Sequence, residues 1–394
     1  MLKVTNGRKW VVAVFAPGFP PASLGGGPIR TLEALVESAS ADFDVRVITP
    51  DRDHGATARL AVAGNRWLDH GAARVYFAST NRVRLLAKAL LAVRAQRPMV
   101  LYLNSFFHPT LSVLPQLLMT LGFWGRPIRL LAPRGEFGTG ALLRSTTKKR
   151  LYIFFYKALS LHRRVYWHAS SAAEAGDIVR EWGNSARILV REDETSLPRH
   201  ARAAPRNDLN NVLQVNFVFL GRLVEHKGLL ILLDALQNVN SAVNLDIYGP
   251  EEDALYLVAC RESANRLPAH VTARFMGPVK PDEVRDRLCS YDALLLPTAG
   301  ENFGHVIAEA LSVSCPVVCT PYTPWTSVLT DGGGSLVSDQ SPERWRTAIA
   351  GYAAQSLEER SAGRAAAGAA YDRWMSQLKG PHIFEMLRFA DESK

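Results

Sequence analysis

Cysteine is scarce in this chain of 394 residues: four occur, at Cys260, Cys289, Cys315 and Cys319, all late and none in a Cys-x-x-Cys pair. That spacing offers neither a zinc knuckle nor a disulfide framework, and a reducing cytosol is the natural compartment. No apolar run approaches the ~18 to 20 residues needed to span a bilayer. Residues 10–16 (WVVAVFA) follow basic residues as a signal peptide would. Pro17 and Gly18 break that run and no small-residue cleavage site follows, so it reads as a first buried strand. There is no exact repeat, no low-complexity tract and no G-x-G-x-x-G turn. With 47% hydrophobic and 21% charged residues, the composition is that of an ordinary globular protein, not of a disordered, collagenous or coiled-coil one.

Acidic residues are also short in one half. The net charge is +9, and the first 200 residues hold about twice as many Lys and Arg as Asp and Glu, while the remainder is slightly acidic. A basic half attracts phosphate groups, anionic membrane surfaces or nucleic acid, and its bland counterpart is a solvated surface. No nucleic-acid motif accompanies the charge, so no nucleic-acid partner is expected.

At roughly 100 to 200 residues per domain, the length favours two domains. Short Val-, Ile- and Leu-rich runs alternate with helical patterns, the signature of parallel sheets covered by helices on both faces. Strands are expected at 10–16, 45–49, 73–77, 99–103, 128–132 and 164–168, with helices at 28–40, 81–95, 110–121 and 144–160. Residues 191–211 are polar and aperiodic and read as a linker or crossing segment. Alternation restarts with strands at 215–220, 244–248, 271–275, 293–297 and 316–319 and helices near 228–238, 251–264, 281–289 and 304–313. A long helical region is expected over 342–377. The fold class is α/β, with ligands outside the carboxyl ends of the strands and the cleft between the domains as the default site.

Three segments carry chemistry. In the loop PGFPPASLGGGPIR, Gly25 to Gly27 permit close backbone approach at the start of a helix, where free N–H groups favour an anion. In GRLVEHKG, Arg222 and Lys227 flank a turn before a helix, as cations meeting a diphosphate would. In LLLPTAGENFGHVIAEAL, Glu301 precedes Glu309 by eight residues. Eight helical residues turn about 80° past whole turns and rise ~12 Å, so the two carboxylates line one side of a long ligand at different depths. Glu309 can accept both hydroxyls of a ribose, Glu301 reaches the far end, and the backbone of Asn302, Phe303 and Gly304 offers donors between them. Each motif has a plain structural reading beside it: a flexible loop, a solvated pair of cations, a surface helix with its cap.

Taken together, GGGPIR, APRGEFGTGAL with KKR, HASSAAEA, GRLVEHKG, DIYGP, FMGPV and GENFGHVIAEAL resemble, in order and spacing, the retaining glycosyltransferases of family 4. The resemblance implies the GT-B fold of two facing Rossmann-like domains with parallel sheets and an interdomain cleft. An acceptor-binding domain would span 1–195, a linker 196–211 and a donor-binding domain 212–377, with a tail over 378–394 packing back on the first domain. It implies transfer of a sugar from a nucleotide-diphosphate donor to an acceptor hydroxyl with anomeric configuration kept, in cell-surface polysaccharide or glycoconjugate synthesis, without a metal or other cofactor. Arg222 and Lys227 would take the diphosphate, Glu309 the ribose, Glu301 with the amides at Phe303 and Gly304 the sugar, and Gly26 and Gly27 would close over the diphosphate.

The sequence departs from that family at two places. Where many relatives carry a His-Gly pair after the fifth strand, this chain has Arg134-Gly135 followed by Glu136, which makes Arg134 and Glu136, with His108 of NSFFHPT, the candidates on the sugar and acceptor side. The Asn-Gly turn before the linker is replaced by ILVREDETSLP. Asp51-Arg-Asp53 matches the D-x-D pattern by which another glycosyltransferase fold holds a divalent ion, but the two-domain pattern and the Glu301–Glu309 segment outweigh it, and no metal is assigned. The helix RSTTKKRLYIFFYKAL sets Lys148, Lys149 and Arg150 beside Tyr152, Phe154, Phe155 and Tyr156, a combination suited to an anionic bilayer and a lipid-linked or glycan acceptor, unless the aromatics pack inward. The expected location is cytoplasmic, with peripheral contact at the inner membrane face. An epimerase of the same fold, a non-catalytic nucleotide-sugar-binding subunit and a dinucleotide-dependent oxidoreductase are the other classes weighed; the missing glycine fingerprint counts against the last.

Overall fold

The computed structural model describes residues 9–24, 26–138, 147–203, 214–378 and 380–393. It divides into two units, Met1–Ser196 with Gly380–Lys394, and Leu197–Lys379. Each is an α/β unit built on one predominantly parallel sheet, as the alternating pattern predicts.

The first unit has eight strands: β1 (Trp10–Phe15), β2 (Phe43–Pro50), β3 (Trp67–His70), β4 (Ala73–Ala78), β5 (Val100–Asn104), β6 (Ile128–Ala132), β7 (Tyr166–Ala169) and β8 (Arg187–Val190). Their order is β3-β4-β2-β1-β5-β6-β7-β8, and only β3 runs antiparallel to its neighbour. The two middle strands, β1 and β5, are almost wholly apolar because both faces are covered. In β1, Val12 and Val14 enter one core with Leu32 and Leu35 of the helix Gly27–Glu37, while Ala13 and Phe15 enter the other with Leu86 and Leu90 of the helix Val83–Ala95. The helix Ile383–Glu392 also belongs to this unit. Phe384 packs against Phe43 with ring centroids 5.6 Å apart, and His382 Nε2 donates to the Leu35 carbonyl at 2.9 Å.

The second unit has six parallel strands, β9 (Val215–Leu220), β10 (Val243–Tyr248), β11 (Val271–Gly277), β12 (Ala293–Leu296), β13 (Val317–Cys319) and β14 (Gly334–Leu336), in the order β11-β10-β9-β12-β13-β14. Among the described residues no helix is long and apolar enough to cross a membrane.

Several expectations need correction. The region 342–377 is two helices, Pro342–Ala353 and Leu357–Gln377, because Ser356 starts the second with a capping box: its side chain accepts from the Glu359 amide while Glu359 accepts from the Ser356 amide. The helix Ala172–Trp182 was not anticipated, although Ser171, whose Oγ accepts from the Glu174 amide at 3.1 Å, is a regular start signal. Strands β3, β8 and β14 also escaped notice, being short and lying at or near sheet edges. The expected start of the helix at 144 and the second half of the expected linker, 204–211, fall outside the described residues, as does Gly25.

Candidate functional site

In an open α/β sheet, ligands bind beyond the carboxyl ends of the strands where the strand order reverses. The second unit reverses between β9 and β12, so the loops over residues 221–228 and 297–304 flank that point. They are stitched together: the Ala299 amide donates to the His226 carbonyl at 2.8 Å. Gly228 makes this closeness attainable. Its φ is +78°, and a Cβ there would lie 2.3 Å from the Pro297 carbonyl oxygen. The Gly228→Ala variant is therefore expected to push the turn off β12, costing at least about 1 to 3 kcal/mol of stability and weakening any ligand held by Lys227, as thermal melts with and without ligand will show.

Across this junction Lys227 Nζ forms an ion pair with Glu301 Oε1, the two side chains being 14% and 10% exposed. Two of the expected site residues, 74 positions apart, are thus in direct contact. Arg222 sits farther out, donating to Glu252 at 3.1 Å with half its side chain in solvent. Phe303 is buried; its ring packs against Trp325 and its carbonyl accepts the Trp325 indole N–H. Gly304, at φ +84°, precedes the helix His305–Leu311, on which Glu309 is almost fully buried.

The helical spacing argument for Glu301 and Glu309 is corrected here. Only residues from His305 onward are helical, so four of the eight positions lie in the loop, and the turn at Gly304 sets the separation instead of helical rise and rotation. The Glu301 amide donates to the Tyr322 carbonyl at 3.2 Å, which anchors the loop to the segment after β13. Behind it, burial pushes the Cys319 thiol up to about 12, and all four cysteines are free. They are packing residues.

The first unit reverses order between β1 and β5. After β1 the chain runs to Gly26 (φ +64°) and Gly27, the first residue of its helix. The two acids of the D-x-D segment are engaged by the fold. Asp53 accepts the Ser23 amide at 2.7 Å and the Leu24 amide at 3.0 Å, so it anchors the loop that leads to the glycines. Asp51, buried, accepts the Ser79 hydroxyl at 2.6 Å and faces Arg59 at 3.3 Å. Among the described residues no group of three His, Cys, Asp or Glu side chains is arranged to hold a metal ion.

After β5 and β6 stand the remaining candidates. Glu136 accepts the Ser105 hydroxyl at 2.7 Å and the Phe106 and Phe107 amides, which fixes the loop after β5; burial raises its carboxyl above the usual range against the pull of those bonds. His108 Nδ1 accepts the Leu111 amide at 3.2 Å and caps the turn Pro109–Val113, and burial with a nearby His54 lowers its pKa. Both side chains therefore serve the loop's own shape.

Arg134 is held by the fold itself. It sits at φ +54° after β6 with each guanidinium nitrogen making an internal bond: Nε on Asn104 Oδ1 at 2.7 Å, Nη2 on the Tyr102 hydroxyl at 2.8 Å, and Nη1 in an ion pair with the buried Asp193. Burial alone would lower its pKa, but Asp193 and its other neighbours hold the guanidinium firmly charged. These bonds tie its side chain to β5 and to Asp193. The chain of bonds continues: the Tyr102 hydroxyl donates to His168 Nδ1 at 2.9 Å, and His168 Nε2 donates to the Arg191 carbonyl at 3.0 Å. Asp193 also accepts the Thr31 hydroxyl at 3.4 Å, which links the network to the helix of the glycine loop. Beside it Glu174 accepts the Gly135 amide at 2.6 Å and both the amide and hydroxyl of Ser170. Tyr102, His168, Glu174 and Asp193 were missed. Asp193 lies in the run read as a linker, and the others look like strand core or helix surface.

His168 offers a pH test. Burial and the adjacent Arg134 lower its pKa well below the ordinary value, so it is neutral in the folded chain. Folding then excludes a proton that the unfolded chain binds below about pH 6.5, and the stability it contributes is lost as pH falls through and below that value, at up to about 1.4 kcal/mol per unit. In His168→Gln, which can keep both hydrogen bonds, denaturation between pH 7.5 and 5.5 is expected to show a shallower loss than in the parent chain.

With this geometry in place, the chain can be set beside known proteins. Residues 214–355 match the family described as glycosyl transferases group 1. Across 97% of the chain the fold matches a sucrose-phosphate synthase from Thermosynechococcus elongatus (all of that chain, TM-score 0.70, 18% identity). Across 98% it matches Alr3699/HepE of Anabaena, solved in complex with UDP and glucose (all of that chain, TM-score 0.68, 15% identity). At such identities the likeness is one of fold, and the fold is GT-B. Over residues 214–355, within the second unit, the chain resembles the group 1 glycosyl transferases. It is 32% identical over 218 residues to the phosphatidyl-myo-inositol mannosyltransferase of Mycobacterium tuberculosis, covering 52% of this chain and 54% of that one. It is 31% identical over 139 residues to the D-inositol 3-phosphate glycosyltransferase of Corynebacterium urealyticum, covering 33% of each. The match thus spans between a third and about half the length of these curated relatives.

Proposed function

We propose that the chain is a retaining glycosyltransferase that moves a sugar from a nucleotide-diphosphate donor to an acceptor hydroxyl. The observation that carries this reading is the Lys227–Glu301 pair at the switch point of the second sheet, with Glu309 buried on the helix that follows. An ammonium held by a carboxylate is poised to exchange partners: an arriving diphosphate takes the cation, and Glu301 turns to the sugar hydroxyls. Arg222, half exposed, approaches the phosphates from solvent, and Glu309 accepts the ribose hydroxyls. As the bond from the anomeric carbon to the diphosphate breaks and the bond to the acceptor oxygen forms, charge grows on the leaving phosphate, and Lys227 and Arg222 meet it. No metal is required in this reading, since two fixed cations do that work.

The acceptor belongs to the first unit. In the helix Thr147–Ala158, Tyr156 is buried and Tyr152 packs on Phe106, whereas Leu151, Phe154 and Phe155 are more than half exposed beside Lys148 and Arg150. The inward-packing expectation describes Tyr152 and Tyr156, and the exposed face is the one the membrane reading concerns. The exposed aromatics with their cations suit an anionic bilayer carrying a lipid-linked acceptor, as the mannosyltransferase relative's name also suggests, and fit a place at the inner membrane face in glycoconjugate synthesis. Phe154→Ser with Phe155→Ser is expected to cut sedimentation with phosphatidylglycerol vesicles several-fold while thermal stability stays unchanged.

The deciding experiment is stabilisation of the purified chain against heat by UDP-, GDP- and ADP-sugars, because a ligand that binds only the folded state raises stability with the logarithm of its concentration over Kd. One donor that stabilises the parent chain and fails with Glu309→Ala, followed by nucleotide release dependent on acceptor, is the expected result. Donor binding without release under any condition points to a non-catalytic subunit. Interconversion of the nucleotide sugar without acceptor points to an epimerase.

A further inference from the structure

A cavity of about 940 Å³ lies at the opposite edge of the first sheet, and its lining includes Arg126, Arg129, Arg164 and Arg187. The placement follows from the parallel register of β6, β7 and β8: Ile128, Tyr166 and Arg187 are their first residues, and Arg126 and Arg164 each stand two positions before a strand. The carboxyl ends, where Arg134 and Glu136 lie, are roughly 15 Å away at about 3.3 Å per strand residue. The cavity is therefore separate from the candidate site.

Four guanidinium groups meet a single lining carboxylate, Asp391. Arg187 stacks over the Tyr166 ring at 5.6 Å, and the Tyr166 hydroxyl donates to the Ala390 carbonyl at 3.1 Å, so the wall they form is fixed by the last helix. Arg129 is the telling member. Its Nη1 is buried and has no hydrogen-bond partner; burial lowers its pKa, and the nearby Arg164 guanidinium adds to that against the opposing pull of Tyr156. Buried donors without acceptors and like charges without counter-charge both cost free energy that a bound anion would return.

We propose that this cavity binds a phosphate-bearing ligand, with Arg129 at its floor and Arg164 and Arg187 closing on the phosphate oxygens in the forked geometry that guanidinium groups favour. The phosphate can belong to a soluble phosphorylated metabolite or to a lipid headgroup. The test uses the full chain carrying Lys227→Met, so that the second unit's candidate phosphate site does not contribute, and inorganic pyrophosphate as probe in isothermal titration. One equivalent is expected to bind, with affinity reduced at least tenfold by Arg164→Gln with Arg187→Gln; both side chains are exposed, so the fold is not at stake. Arg129→Gln should weaken binding as well. Capture on phosphatidylglycerol vesicles that pyrophosphate competes away, and that the arginine pair abolishes, identifies a headgroup as the source; pyrophosphate binding with no such capture identifies a soluble one. Affinity indifferent to the arginine substitutions, or no binding of either probe, overturns the proposal, and neither result touches the reading of Lys227 and Glu301, which is decided by nucleotide sugars.

Discussion

Lys227→Met is expected to lower kcat/KM for acceptor-dependent nucleotide release by about 10²- to 10³-fold, the usual effect of removing one preorganised donor from a site where negative charge develops. The structural side of the change must be separated from the chemical one. With Lys227 gone, the Glu301 carboxylate stays at 10% exposure without its partner, and the second unit should melt earlier. Adding Glu301→Gln removes that stranded charge, so the double variant should regain most of the lost melting temperature. It should not regain turnover, since the cation proposed to meet the diphosphate is still absent. A double variant that recovered both would mean that Lys227 only holds the loop. Turnover unaffected in the single variant would remove the pair from the mechanism altogether.

What the sequence disclosed depended on how many residues shared one physical signal. Strands β1, β5 and β12 are buried on both faces over most of their length, and that leaves apolar runs that any reader can find. Strand β3 (WLDH) and strand β8 (RILV) lie at sheet edges with partly wetted faces, and β14 has three residues after a glycine run, so none displays a period long enough to recognise. The same division holds at the site. Lys227 and Glu301 could be matched because each stands in a stretch whose glycines are dictated by geometry, φ +78° at Gly228 and φ +84° at Gly304. Arg134 was found without its internal partners, Tyr102, Asn104 and Asp193, because they lie up to 59 residues away and no local pattern joins them.

That arginine yields the other large expectation. Asp193→Asn should destabilise the first unit by about 3 to 5 kcal/mol, the range seen when one member of a buried ion pair is removed and its partner's charge is left unpaired. Asp193 and the Arg134 side chain are only 4% and 8% exposed, so solvent does little to relieve the stranded guanidinium. Arg134→Met with Asp193→Leu replaces both charges by apolar groups and should be far less costly, as judged by urea denaturation followed through the first unit's tryptophans, Trp167 and Trp182 among them. Its effect on function should nevertheless persist. Without the carboxylate, Thr31 loses its link to the network and the helix of the glycine loop is no longer tied to the end of β6. A stable double variant with a raised KM for the donor would show the pair positioning that loop, whereas one with unchanged kcat and KM would reduce it to a packing element of the core.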